Sequence, residues 1–355
     1  MEPAVASGLA PVEVRPLDAG LAAAWDAYVT GHPDGTFCHL SAWAGIIERC
    51  YRLPAHFVCA LRDGRVCGVL PLAHVKSRLF GSNGLVSTPF CVYGGPLADD
   101  ADARQALDAH ALALRDRLGA DFVEFREQER RRTDWRVKDD LYVTFAKPIA
   151  ASPAANLLAI PEPQRQVIRK AVKDLGLTAT LDDDLDRHFQ VYATSMRDHG
   201  TPMFPRGYFR ELKDAFGDAC EVLTVCDPAG TALSTVMSFI FRDAIAPYYA
   251  GGIAAGRDAG AQSFMYWRLI GRAAERGLTR FDFGRSKRGT GSFDFKLNWG
   301  FQPTPMTYEF ALRDGAAIPE NNPNNPKFRL FIAAWQRLPV PLANAIGPRL
   351  VRSLG

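Results

Sequence analysis

One order of elements occurs twice along this chain, and an internal repeat restricts the possible folds more than any short motif does. In the first half, HFVCALRDGRVCGVLPLAHV sets two apolar, β-rich runs around Asp63 and Gly64, a dipeptide that supports a tight hairpin turn. LVSTPFCVYGG then ends at Gly94 and Gly95, an Ala- and Leu-rich helical stretch covers about 102–118, and a strand resumes from Phe122 to Arg126. In the second half EVLTVC, a turn from Asp227 to Gly230, TALSTVMSFIF and APYYAGG follow in the same order, ending at Gly251 and Gly252. A helix over about 262–276 leads into a strand that starts at Phe281. Gly95 precedes Phe122 by 27 positions and Gly252 precedes Phe281 by 29, so the landmarks keep their spacing. The alternative is two unrelated α/β segments that share common elements.

Each copy is an antiparallel meander, a helix and a returning strand, which predicts an α/β fold with mixed sheets and helices on their faces. The 355 residues leave room for two such domains, and 47% hydrophobic against 23% charged residues gives each a core. We expect an N-terminal domain over 10–150, a C-terminal domain over 155–315, a Pro- and Ala-rich linker near 147–163, and a tail over 321–355. Forty-two basic against 39 acidic residues is too balanced for whole-surface nucleic-acid binding, so any anion site must be local. The seven cysteines include no CxxC pair and lie in apolar runs, as reduced, buried thiols do. The first 17 residues lack the basic flank and apolar stretch of a secretory signal, and no 18-residue apolar span occurs. The expected location is cytoplasmic, at most peripheral at the inner face of the membrane.

Residue types that carry chemistry gather after Phe283. Gly284, Gly289 and Gly291 alternate with Arg285, Lys287 and Arg288, with Ser286, Thr290 and Ser292 as hydroxyl donors. A loop of this content, following a strand, can present amides and cations to a phosphate; a solvated turn is the plainer reading. Next, 293–301 reads as a short helix stopped by Gly300, with aromatics, Trp299 among them, flanking Lys296. Lys296 can hold a developing oxyanion, or simply lay its stem on apolar surface. Asp282, Tyr248 and His199 are the other candidates near a reacting centre. Tyr248 and Tyr249 end a strand, where they can donate to a carbonyl or merely pack. His199 sits in a polar stretch beside Asp198. The seven histidines show no metal-ligand spacing, so no metal site is expected.

Arg165, Arg169 and Lys173 recur at helical spacing with Lys170 adjoining, a basic ridge that is either solvated or in contact with phosphates. The tail over 321–355 carries five basic residues and no acid. Phe328, Phe331, Ile332 and Trp335 form a stripe there, with Lys327, Arg329 and Arg337 away from it. Such a segment either packs on the protein or lies on an anionic membrane.

The run FDFGRS…FKLNWGF, the duplicated unit and QRQVIRKAVKDLGL together resemble the FemAB-like branch of the GNAT acyltransferase superfamily, most of all the FemAB-related proteins associated with PEP-CTERM/exosortase and exopolysaccharide loci. The resemblance spans nearly the whole chain, including NNPNNPKFRLFIAAW. It implies two tandem GNAT-like domains and transfer of an acyl or aminoacyl group to an amine or hydroxyl of an exopolysaccharide or peptidoglycan precursor, which could be lipid-linked. The donor it implies is a co-substrate, acyl-CoA or aminoacyl-tRNA, with no permanently bound cofactor. The GNAT pattern [QR]-x-x-G-x-[GA] has its nearest match at Arg257 to Gln262, which ends in Gln, and its first-half counterpart around Asp99 to Ala103 has no such glycine. A catalytically silent glycan- or lipid-carrier-binding protein of the same fold is the alternative. Chemistry is expected in the second domain, because a charged run from Glu127 to Arg132 follows the matching strand of the first.

Overall fold

The computed structural model describes residues 10–77, 81–319 and 326–352, without the side chains of 326–329. The chain opens with β1 (Glu13–Pro16), α1 (Ala22–Gly31) and α2 (Ala42–Tyr51). Then come β2 (Val58–Arg62), β3 (Arg65–Leu70), β4 (Leu72–Ser77), β5 (Ser82–Ser87), β6 (Leu97–Ala98), α3 (Ala101–Leu118), β7 (Phe122–Glu127) and β8 (Arg136–Lys138). β9 (Tyr142–Pro148), α4 (Pro153–Leu158), α5 (Glu162–Lys173), β10 (Thr178–Leu181), α6 (Leu185–Asp198) and α7 (Tyr208–Phe216) follow. Next are β11 (Cys220–Cys226), β12 (Ala232–Phe241), β13 (Ala244–Gly252), α8 (Ala254–Asp258), α9 (Ala261–Glu275), β14 (Arg280–Lys287) and α10 (Gly291–Asn298). The remaining elements are β15 (Thr304–Pro305), β16 (Thr307–Leu312), α11 (Pro326–Trp335) and α12 (Val340–Val351).

These elements form two compact units that are not consecutive segments. One comprises 1–48, 53–137 and 308–318; the other comprises 49–52, 138–307 and 319–355. The expected boundaries near 150 and 315 differ from this division because two strands join the sheet of the other unit: β9 precedes the second unit's helices, and β16 returns to the first unit from the far end of the chain.

In the first unit one sheet has the order β1-β2-β3-β6 and the other β4-β5-β7-β16-β8. Asp63 and Gly64 both take positive φ, 49° and 75°, as the two-residue hairpin turn between β2 and β3 requires. α3 is bounded by Asp100, whose carboxylate accepts from the Ala103 amide, and by Gly119 in the left-handed region. It buries Ala103, Leu107, Ala111 and Leu114 against Val58, Leu85, Val123 and Phe125.

The second unit has one seven-stranded sheet, β10-β11-β12-β13-β14-β9-β15. Successive strand residues point to opposite faces. Ser234 of β12 donates to the Ala261 carbonyl at the start of α9, and Thr235 pairs its hydroxyl with His188 of α6, so helices cover both faces. α9 packs Phe264, Met265, Leu269, Ile270 and Ala273 into a core with Val236, Ile245 and Phe281. Burying each large apolar side chain contributes roughly 1.5–3 kcal/mol, and this shared core sets the positions of β13 and β14.

The tail is helical and seated on the second unit. Trp335 is buried, and a Cβ on Gly200 would meet Ile332 Cγ2 at 2.5 Å. The expected single stripe is therefore divided: Ile332 and Trp335 turn inward, while Leu330 and Phe331 are exposed. The side chains of Lys327, Phe328 and Arg329 lie outside the described residues.

Candidate active site at the parting of β13 and β14

β13 and β14 run parallel and pair only at Ala244 with Arg280 and Ile245 with Phe281. Beyond that point each strand carries a bulge. In β13, Met237 faces Tyr249 and Ser238 faces Pro247, so Tyr248 is the extra residue. In β14, Asp282 faces Ala146 and Gly284 faces Phe145 of β9, so Phe283 is the extra one. Bulges increase twist and redirect side chains, and they concentrate beside active sites. Gly284 sustains the second bulge with φ 66°, and the Asp282 carboxylate accepts its amide at 2.8 Å.

Parting strands leave peptide groups without ladder partners, and buried carbonyls need donors. Lys296, on α10, supplies them: its ammonium donates to the carbonyls of Phe283 (2.7 Å), Gly284 (3.1 Å) and Arg285 (3.0 Å). The side chain is 8% exposed, over the rings of Phe145 and Phe283. Burial pushes its pKa down to about 7, with Asp282 opposing and Arg285 assisting the shift. An ammonium has three hydrogens. All three are directed at carbonyls, so Lys296 braces the bulge, whereas the sequence pointed to a cation open to a reactant.

The strand continues through Lys287, where the sequence reading placed a loop; the true turn is confined to Arg288, Gly289 and Thr290. Ser286, paired with Val143, is buried and accepts from the Ser292 hydroxyl. Arg285 and Lys287, two apart on one strand face, both stand over the ring of Tyr142, at 4.8 and 5.3 Å. Burial, then Arg285 and Lys138, lowers the Lys287 pKa to about 8. Two cations on one ring repel each other, and a bound anion would relieve that repulsion. Tyr142, which gathers them, carries no mark in the sequence beyond its place in a strand-like run. Thr290 closes the turn by donating to the Lys287 carbonyl, and Arg288 is exposed.

Across the parting, Tyr248 is half-buried, with its ring against Phe239 and Tyr249. Tyr249 is buried, and its hydroxyl lies 2.6 Å from that of Tyr208 on α7. Tyr51, Tyr192, Phe204 and Phe209 complete an aromatic cluster with this pair. Of this cluster the sequence reading named only Tyr249; Tyr208, whose hydroxyl meets it, was missed with the rest.

The remaining candidates lie elsewhere in the second unit. His199 closes the C-terminus of α6 rather than standing in an open loop; burial and then Arg257 lower its pKa, leaving a neutral imidazole. Trp299 has no exposed surface and packs on Tyr266, Phe283 and Phe295, so in this structure it is core where ligand contact was expected. On α5, Arg165 and Arg169 both bind the Glu162 carboxylate, which neutralises part of the ridge and leaves Lys170 exposed. Val167 of α5 lies against Gly260, where an added Cβ would meet its Cγ1 at 2.4 Å, and Gln164 accepts from Ser263. The ridge helix thus rests on the first turn of α9. Among the described residues, no three His, Cys, Asp or Glu side chains are grouped to hold a metal ion.

In the first unit, the charged run after β7 is exposed over 128–131 but buries its two ends, Glu127 and Arg132. Arg132 binds Asp108 through two bonds of 2.7 Å, Glu309 at 2.6 Å and Glu127 at 3.0 Å, and all four side chains are largely buried.

The family described as Acetyltransferase (GNAT) domain matches residues 163–297. A search of curated proteins finds no match. Among solved structures, FemX superposes with a TM-score of 0.65 at 16% identity, over 84% of this chain and 96% of that one. L-PGS from Bacillus licheniformis gives 0.57 at 13%, over 91% and 98%. A tandem GNAT protein from the clavulanic acid biosynthesis pathway gives 0.52 at 11%, over 85% and 98%. Identities this low speak for the fold. Residues 163–297 are therefore similar to the GNAT acetyltransferase domain, within a fold of two tandem GNAT-like units and a helical tail.

Proposed function

We propose that the second unit transfers an acyl or aminoacyl group to an amine or hydroxyl of a cell-envelope precursor, an exopolysaccharide or peptidoglycan building block. The observation that carries this reading is the parting of β13 and β14 between two bulges, with Arg285 and Lys287 paired over Tyr142 beside it. Acyl transfer needs an unprotonated nucleophile, donors for the tetrahedral oxyanion and a proton route to the leaving group. In this scheme Tyr248 donates toward the acyl carbonyl, Arg285 and Lys287 hold the phosphates of donor or acceptor, and Asp282 with Lys296 fixes the bulged backbone. His199, neutral at the end of α6, and the exposed ridge residue Lys170 are assigned to acceptor positioning. Acyl-CoA is the co-substrate typical of GNAT acetyltransferases. FemX and L-PGS, which share the fold, make aminoacyl-tRNA the second donor to test.

The tail adds a place of work. Leu330, Phe331, Leu342 and Ile346 are exposed among Arg337, Arg349 and Arg352, with no acid in the segment. Apolar residues among uncompensated arginines suit an anionic bilayer surface, where a lipid-linked acceptor would be presented. Among the described residues, no helix is long and apolar enough to cross a membrane.

A thermal-shift panel with acetyl-CoA, longer acyl-CoAs, aminoacyl-tRNA and UDP-sugars tests the reading. Stabilisation by an acyl-CoA or a charged tRNA, lost in Arg285→Ala with Lys287→Ala, supports transfer. Stabilisation by a sugar nucleotide alone would replace it with a silent glycan-binding protein.

A further inference from the structure

The first unit has a cavity of its own, where its parallel strands separate. β5 and β7 pair from Gly84 with Phe122 to Val86 with Glu124, and the chain beyond their ends forms a cavity of about 70 Å³. Asp34, His39, Tyr93, Arg104, Glu127 and Arg131 are in its wall. Nothing in the acyl-transfer reading uses it.

Glu127 is 9% exposed. Its Oε1 accepts from Arg132, while Oε2 makes no hydrogen bond and has Arg131 Nε at 4.0 Å. The groups facing it are Arg132, Arg131, Arg104, Asp108 and Glu309. Three carboxylates, buried Glu127 and Glu309 and partly buried Asp108, thus share the guanidinium of Arg132. Glu309 is satisfied by the amides of Arg131 and Arg132 and by the Arg132 guanidinium, and Asp108 is satisfied by its double bond to Arg132. Glu127 is the carboxylate left short, and it faces the cavity. The wall's other cations hold it only loosely: Arg126 is tied to Glu124 and the Cys91 carbonyl, Arg131 is divided between Asp34 and Glu127 Oε2 at 4.0 Å, and Arg104 forms no hydrogen bond to it.

His39 adds a donor. Its Nδ1 accepts from the Thr36 amide, which puts the proton on Nε2. Buried Nε2 finds no hydrogen-bond partner among the described residues. Burial lowers the imidazole pKa to about 4, so the ring stays neutral. Arg104, half-buried on α3, is in no ion pair among the described residues.

We propose that this cavity binds a primary ammonium group on Glu127 Oε2, in a ligand whose neighbouring oxygen accepts from His39 or Arg104. An amino acid and an amino sugar share that chemistry. The site stands independently of the acyl-transfer reading.

Saturation-transfer NMR on the full chain tests it with two matched pairs: glucosamine against N-acetylglucosamine, and L-alanine against L-lactate. One ammonium ligand should bind at least about tenfold more tightly than its counterpart without the ammonium, and which pair discriminates identifies the source. Glu127→Gln should abolish that preference. Should the variant fail to fold, wild-type protein still decides, since binding must tighten from pH 5 to pH 7, where both ligands keep their ammonium, as Glu127 ionises. No transfer to either ammonium ligand, equal binding within both pairs, or a preference that survives Glu127→Gln would overturn the proposal.

Discussion

The ammonium of Lys296 lies 2.7 Å from the carbonyl oxygen of Phe283, the residue that β14 carries as its bulge. A helix thereby holds open the strand separation on which the proposed chemistry depends. A buried ammonium costs several kcal/mol in desolvation, and three charge-assisted bonds of about 1.5–3 kcal/mol each offset it.

Lys296→Met keeps the apolar stem and removes the donors. Three carbonyls lose their partner, so stability should fall by about 2–4 kcal/mol and turnover by at least about tenfold. Chemical unfolding and an acyl-transfer assay on the same preparation check both. Wild-type turnover in a destabilised protein would restrict Lys296 to the fold.

Glu127 gives a pH signature. Burial raises its pKa from 4.5 to about 7. Between those values the folded state holds a proton that the unfolded state has released. Its contribution is therefore full below pH 4.5 and is lost as pH rises through 7, by up to about 3 kcal/mol. Buried His188, held down to about 3, runs the other way, adding stability above pH 6.5 that is lost in acid. Urea unfolding at several pH values should thus be read as wild type minus Glu127→Gln, and that difference should fall from pH 4.5 to 8. A flat difference would show that Glu127 titrates normally.

Gly347→Ala should destabilise the tail against the trend for helices, where alanine gains about 1 kcal/mol over glycine. A Cβ there would meet the Met203 backbone at 2.7 Å (N) and 2.9 Å (O). Limited proteolysis should release 326–352 faster in the variant. Unchanged resistance would mean that α12 shifts without cost.

Replacing Leu330, Leu342 and Ile346 together by Gln spares Trp335 and the Phe331 ring stacked on it, and should weaken binding to anionic vesicles without lowering the melting temperature. Wild-type sedimentation should weaken as salt rises and be slight with zwitterionic lipid. Equal sedimentation of the two proteins would detach the tail from any membrane role.

Much of the fold was legible because its signals are local. The Asp63-Gly64 turn, the capped helix α3 and the order from β11 to β14 stand where periodicity and turn residues put them. The exchange of β9 and β16 was not, because pairing over 130 or more positions leaves no trace in the pattern of either strand. Basic residues after Phe283 suggested a loop, yet Arg285 and Lys287 alternate with Gly284 and Ser286 as strand residues do. The carbonyls that hold Lys296 exist only because two strands part, an event of the tertiary structure. Likewise, Glu127 to Arg132 reads only as a charged run, because Glu309, which binds Arg132, lies far along the chain.

That late arrival orders the making of the molecule. As the polypeptide leaves the ribosome, the strand that sits between β7 and β8 is translated about 170 residues after them. Until then Arg132 faces only two of its three carboxylates, and an edge of the early sheet stays open. The amino-terminal half must wait, incomplete and in need of protection from stray partners, while nearly all of its sister is synthesised.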